Sequence, residues 1–346
     1  MEKILLLGNG INRAFDLDSW ENIINSVSEN IWGAKLDFER SMPYSFRTTL
    51  ATKGDHKKLQ ELIIKGRCKT IPSIIDNPFS SLSKYDTDSI ERMYTELLCC
   101  GFDHILTTNY SYEFEACCHE GLADKKYIKD KRTFVFDEQR FDTNADFSFA
   151  KDSEIKIPKR ETNYRLYTFN KISLNKSGKE YINKIWHIHG EYHNPQTIIM
   201  NNAQYTNLIT NISKAKNRTL QLKGLFKESP EEVNNYYSWV DKFLEAEVFI
   251  LGFGYSYSEI DLWWLLNQKF KKNGDNFKVH FYQKISEPKE NLSQDKYDNN
   301  QENNPKKQNG VDLLRAYSTN IVEIPAHRYK TFYKKAIIDI KDKMKD

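Results

Sequence analysis

Apolar residues along this chain come in short runs, separated by longer stretches in which they recur at spacings of three and four. Six runs read as buried strands: KILLLG (3–8), FDHILTTN (102–109), NKIWHIH (183–189), AEVFILGFG (246–254), FKVHFY (277–282) and a weaker NIVEIP (320–325). Each is short and rich in Ile, Leu, Val or aromatics, as strands covered on both faces are. Helical patterns separate most of them. DSWENIINSV and DSIERMYTELLCC open on Asp-Ser, a good helix start, and YSYEFEACCHEGL stops at Gly121. SEIDLWWLLNQKF begins with a Ser258-x-x-Asp261 capping box. A last helix from about residue 328 sets Tyr333, Ile337, Ile340 and Met344 on one face.

Strands alternating with helices predict one α/β domain over residues 1–346, with a mainly parallel sheet and helices on both faces. Two segments break the rhythm. Residues 125–180 are charged and aromatic without a clear period, and read as an insertion or small subdomain. Residues 286–310 are almost free of apolar side chains and read as a flexible polar loop.

Composition narrows the function classes. The 51 basic and 48 acidic side chains leave a net charge of +3, with no clustered basic excess to indicate nucleic acid. No apolar stretch approaches the roughly 18–20 residues that span a bilayer, and the N-terminal run lacks a signal-peptide cleavage pattern, so a cytoplasmic protein without a membrane is expected. The five cysteines, Cys68, Cys99, Cys100, Cys117 and Cys118, are odd in number and sparse, as in a reducing compartment. Four of them form adjacent pairs, which diverge by about 100° on a helix and do not match the spacing of zinc ligands. They read as buried, inert thiols.

In open α/β sheets ligands gather beyond the carboxyl ends of strands, and four of those ends carry unusual chemistry. The first, GNGINR, has Gly8 and Gly10 but Arg13 where a dinucleotide fingerprint needs its third glycine, and no acid-ended strand follows about 20 residues on. It serves either a phosphate or a tight strand-to-helix turn. The second, LTTNYSYEFE, offers Asn109 as a helix N-cap or as a carboxamide that holds a ribose hydroxyl or a water. The third, KIWHIHGEYHNP, sets His187 and His189 two apart, hence on one face of a strand, with Gly190 ending the run. Satisfied half-buried histidines, a general base, and a metal site with His193 are the three readings, the last short of a placed carboxylate or thiolate. The fourth, ILGFGYSYSEIDLWW, presents Gly252, Gly254 and Ser256 either as a capped turn or as donors to a nucleotide.

The order of these four motifs resembles that of sirtuins. GNGINRAF is similar to the sirtuin Gly-Ala-Gly-Ile-Ser loop, TTN to its Thr-Gln-Asn, HIHG to its His-Gly and GYS to its Gly-Thr-Ser. A closer resemblance is to the bacterial sirtuin-like NAD⁺ hydrolases of antiphage defence and the abortive-infection proteins related to them. Their Gly-Asn-Gly and Gly-His-Ser…Asp segments look like GNGINRAFDL and LGFGYSYSEID. The match runs over residues 4 to about 265.

The resemblance implies a sirtuin-like, Rossmann-type sheet and cleavage of NAD⁺ to nicotinamide and ADP-ribose as a cell-suicide response, without a metal. It implies catalytic Asn109 and His189, with NAD⁺ held by Gly8, Asn9, Gly10, Asp16, Thr108, His187, Gly252, Gly254 and Ser256; His187 and His189 could exchange roles. It further implies a homo- or hetero-oligomer restrained by a separately encoded sensor or regulatory subunit, with the 125–180 segment as a candidate contact surface. Two departures matter. Ser111 stands where an Asp is expected, and from Gly190 onward there is no cysteine to build the zinc module of deacylase sirtuins. Protein deacylation therefore ranks third, behind NAD⁺ hydrolysis and a non-catalytic sensor of NAD⁺ or ADP-ribose derivatives.

Overall fold

The computed structural model describes residues 1–17, 20–38, 42–54, 78–79, 81–117, 137–139, 166, 169–176, 179–191, 197–225, 238–254, 259–274, 278–286 and 305–345. The strands are β1 (Lys3–Leu7), β2 (His104–Thr107), β3 (Asp137–Gln139), β4 (Phe169–Lys176), β5 (Lys179–His187), β6 (Glu247–Leu251), β7 (Val279–Ile285) and β8 (Asn320–Pro325). They form one sheet in the order β3-β4-β5-β2-β1-β6-β7-β8. From β5 to β8 every neighbouring pair is parallel, whereas β4 runs antiparallel to β5 and to β3.

Taken in chain order, the parallel strands lie third, second, first, fourth, fifth, sixth across the sheet, the order of a Rossmann-like fold. The order reverses at β1, between β2 and β6. The crevice for a ligand in such sheets opens beyond the carboxyl ends of the strands at that reversal.

Successive side chains of a strand face opposite ways, and both sets are apolar here. Leu5, Leu7, Ile105, Phe249 and Leu251 pack on one side with α4 (Lys84–Leu98) and α10 (Tyr329–Lys343). Ile4, Leu6, Leu106, Val248 and Ile250 pack on the other with α6 (Asn202–Leu225), α7 (Trp239–Glu245) and α8 (Ile260–Asn273). Fully burying each such side chain contributes about 1.5–3 kcal/mol. A third cluster packs Ile24 of α2 (Trp20–Trp32) and Ala51 of α3 (Tyr44–Ala51) against Tyr110 and Ile198, covering the loops that leave β2 and β5. The remaining helices among the described residues are α1 (Gly10–Ala14), α5 (Glu113–Ala116) and α9 (Pro305–Ala316). Among the described residues no helix is long and apolar enough to cross a membrane.

The six expected strands are present, with ends shifted by a few residues. Residues 169–176 and 179–180, expected inside an insertion, instead extend the main sheet as β4 and the start of β5. Most of the rest of 125–180 lies outside the described residues. The end of the expected polar loop is also ordered. Residues 305–310 open α9, with Pro305 at the first helical position, where a missing N–H costs nothing, and Val311 and Leu314 buried below. Helix α4 begins at Ser83, whose hydroxyl accepts from Asp86 N–H, rather than at Asp88-Ser89, which fall inside it. Cys99 and Cys117 are buried and Cys100 is half-buried, all as free thiols; Cys68, Cys118 and Gly121 lie outside the described residues.

Candidate active site

The carboxyl ends of β1 and β6 are stitched together by glycine. Gly8 N–H donates to Leu251 O and Gly10 N–H to Gly252 O, both at 2.9 Å. A Cβ on Gly8 would stand 2.6 Å from Gly252 O, and Gly252 itself has φ +78° with Gly8 O 2.8 Å from where its Cβ would be. The three glycines thus let two loops approach at backbone distance, and the N–H groups of Gly8 and Gly10 are spent on that contact. Asn9 lies between them at the entry to α1. Asp16 lies exposed past the end of α1 with φ +57°, a conformation a short acidic side chain tolerates. Gly254 is exposed, with open space where a side chain would project. Ser256, with the rest of 255–258, lies outside the described residues.

Beyond β2, Thr108 N–H still donates to Leu7 O. Asn109 then turns inward and is only 5% exposed. It is not a helix cap: α5 starts after Tyr112, with no capping side chain. Neither Asn109 amide atom has a hydrogen-bond partner of good geometry. The Tyr94 phenol is close enough to feel that amide, but its own hydrogen bond goes to Asn12 Oδ1 at 2.7 Å. A buried amide without partners forfeits its hydration, so Asn109 has hydrogen-bonding capacity left for a water or a ligand.

The two histidines do not share a face. Strand β5 ends at His187, and the chain turns through Gly190 (φ +96°), whose missing Cβ makes room for Thr197 O. His187 Nδ1 meets Asn109 O at 2.9 Å and Nε2 meets Glu115 Oε1 at 3.0 Å. The carbonyl can only accept, so Nδ1 carries a proton. Nε2 either donates to the Glu115 carboxylate or accepts from its acid form. In neither case is a lone pair free for catalysis. Burial opposes a charge on His187, but Glu115 outweighs it and pushes the pKa up to about 9.

His189 goes to the opposite side of the sheet. Its Nε2 lies 2.8 Å from Asp261 Oδ2, and its ring meets Tyr205 edge-on at 5.5 Å. Asp261, expected to cap α8 together with Ser258, is instead fully buried and faces His189; the helix is entered through Glu259, which makes no side-chain cap bond. Ser258 itself lies outside the described residues. With the Asp261 carboxylate accepting from Nε2–H, Nδ1 is the basic nitrogen of His189. Asp261 Oδ1 has no partner. The last β2–β5 pair is Thr107↔His187, so Asn109 and His189 each stand two residues past the end of that ladder, in the loops that leave neighbouring strands.

Behind Asn109 lies a buried polar cluster that sequence reasoning missed. Asn12 Nδ2 donates to Glu113 Oε1 at 2.7 Å, and the Ser111 hydroxyl donates to the same oxygen. Burial raises the Glu113 pKa in spite of these donors. Ser111, in place of the expected Asp, is therefore turned toward a second acid of its own chain. Glu259 is likewise raised, to about 8, by burial and by the Asp261 carboxylate. His193 lies outside the described residues.

No known protein-family model matches this chain, and no curated protein matches it in sequence.

Proposed function

We propose that this protein is an NAD⁺ glycohydrolase, releasing nicotinamide and ADP-ribose, with Asn109 and His189 as its catalytic residues. The observation that carries the reading is a buried Asn109 carboxamide without a hydrogen-bond partner of good geometry and a His189–Asp261 pair, each just past the carboxyl end of one of two neighbouring strands of a Rossmann-like sheet. A group that both donates and accepts suits a ribose hydroxyl or a water. The loop glycines that join β1 to β6 shape the crevice, and its phosphate contacts would come from groups other than the Gly8 and Gly10 N–H.

The bond from ribose to nicotinamide is activated, because a neutral base departs from a cationic ring. The protein has to orient the sugar, stabilise positive charge on the ribose carbon and admit water. His189 Nδ1 takes a proton from the ribose hydroxyl or the attacking water while Asp261 steadies the imidazolium that forms. Asn109 fixes the sugar and the water. The water oxygen bonds to the ribose carbon as the bond to nicotinamide breaks. His187, with both nitrogens occupied, is left to support rather than to act as base.

Uncontrolled NAD⁺ loss would kill the cell, and the motif resemblance supports a cytoplasmic, sirtuin-like effector of antiphage defence held in check by oligomerisation or a separate sensor subunit. Purified protein incubated with NAD⁺ should release nicotinamide, followed by chromatography. Asn109→Ala and His189→Ala should each lower release by roughly 100–1,000-fold and leave a measurable residue, and Asp261→Asn should lower kcat by roughly 100-fold or more with little change in KM. Release within about twofold of wild type with alanine at both Asn109 and His189 would refute the site.

The second reading is a sensor that binds NAD⁺ or an ADP-ribose derivative without cleaving it. It is favoured by the depth of His189, 2% exposed. Saturable binding with no nicotinamide formed, alone or with an activating partner, would establish it instead.

A further inference from the structure

The β2–β5 ladder ends at Thr107↔His187, yet Asn109 beyond it has both backbone groups tied to side chains. Its N–H donates to Thr107 Oγ1 at 3.1 Å, and its carbonyl accepts from His187 Nδ1 at 2.9 Å. His187 is gripped in turn from several directions. Glu115 Oε1 holds Nε2 at 3.0 Å, and the Tyr112 ring closes on its edge at 5.1 Å. Glu115 is itself fixed by Asn170 Nδ2 of β4 at 2.8 Å. His187 is 8% exposed and Glu115 not at all.

We propose that the buried Glu115–His187 pair is a positioning device for Asn109, setting the direction of its unpartnered carboxamide at the substrate crevice. A buried ion pair is a weak source of stability, because desolvating both charges offsets much of their attraction. What this one supplies is orientation. With N–H and C=O both clamped, the Asn109 backbone has one setting, which fixes the Cα–Cβ direction from which its amide projects and so narrows the rotamers that reach the crevice. The chain past the end of the ladder would otherwise be free to rotate, and misplacing a substrate-orienting group by about 1 Å costs on the order of 100-fold in rate. Helix α5 is thereby assigned a task, since Glu115 serves the strand end through a histidine. Neither His187 nor Glu115 is a catalytic residue on this account; both act through Asn109.

The inference rests on the reading of Asn109 as a substrate contact, and two measurements separate their fates. The first is a double-mutant cycle on nicotinamide release. Glu115→Gln and His187→Gln, which keep the shape and some hydrogen bonding, should each lower kcat roughly 10–100-fold. In an Asn109→Ala background scored by residual NAD⁺ turnover, each should cost about twofold or less. Equal losses with and without Asn109 would overturn the inference. The second uses ¹H–¹⁵N spectra of the full chain. The Asn109 side-chain amide should give one well-dispersed pair of resonances in the wild type, shifted or broadened by Glu115→Gln at an unchanged melting temperature. An unchanged pair overturns the inference whatever the activity. Wild-type protein that neither binds nor cleaves NAD⁺ overturns the proposed function, and the spectra then decide the positioning role by themselves.

Discussion

Gly10→Ala tests whether the seam between β1 and β6 is as close as it must be to form the crevice. The new methyl would lie 2.2 Å from Tyr333 Oη, 2.7 Å from Gly252 O and 2.8 Å from Gly252 Cα. Two of these three atoms are backbone and cannot swing aside, and Tyr333 is held in the core by α10 at 3% exposure. The loops must part by several tenths of an ångström. That overpacking costs about 1–3 kcal/mol, and stretching the Gly10 N–H···Gly252 O bond costs about 1 more. At about 2.1 cal/mol/K per residue, a chain of 346 residues shifts by about 1.4 °C per kcal/mol, so a loss of about 3 kcal/mol lowers the melting temperature by roughly 4 °C. Thermal unfolding followed by circular dichroism measures it. Gly10→Ala/Tyr333→Phe should recover only part of the loss, because the backbone contacts remain. A melting temperature within about 1 °C of wild type, the range of a neutral surface change, would refute the close-approach account.

Two further predictions concern buried charge. Lys269 is 1% exposed and its ammonium donates to Phe243 O, Leu244 O and Ala246 O, the open carbonyl end of α7. Burial pushes its pKa down to about 7, so between there and its ordinary value of 10.5 the unfolded chain holds the extra proton and stability rises with pH. Lys269→Met should destabilise by about 2 kcal/mol near neutral pH through loss of those bonds, and should abolish that rise between pH 7 and 9 in urea melts; parallel pH profiles would refute it. Glu259 has the opposite sign. Raised from 4.5 to about 8 by burial and Asp261, it holds a proton when folded that the unfolded chain has released, so stability falls as pH rises through that window. Glu259→Gln should remove the fall and melt higher than wild type at pH 8, and identical slopes from pH 5 to 8 would exclude the assignment.

The central strands were legible because a strand buried on both faces needs an unbroken apolar run, and β1, β2 and β6 have one. Strand β4, FNKISLNK, was not, since it alternates polar and apolar within a stretch that reads as an insertion. The glycines of the β1 and β6 loops stood out by type, and the backbone contact they make between those two loops is revealed only by the fold. Asp261 was legible as a residue and misread in role. At Ser258-x-x-Asp261 a capping box is the local solution, while its actual partner, His189, is 72 residues away. Glu115 and Asn12 carried no signal in the sequence, because a buried acid or amide in a helix looks like a solvated one until tertiary structure covers it.

Strand β1 precedes the other strands of the sheet along the chain and lies between β2 and β6, with Lys3 paired to Glu247. Its second neighbour is therefore about 240 residues away along the chain, a delay of roughly 12–50 s at ordinary rates of synthesis. Until β6 arrives, one edge of the central strand is unsatisfied and Gly8 and Gly10 have nothing to close against. A nascent chain that already contains Asn109, His187 and His189 would still lack Gly252 and Asp261, and so could not assemble the crevice. For a protein proposed to consume NAD⁺, that ordering would delay the appearance of activity until β6 and the start of α8 had been made.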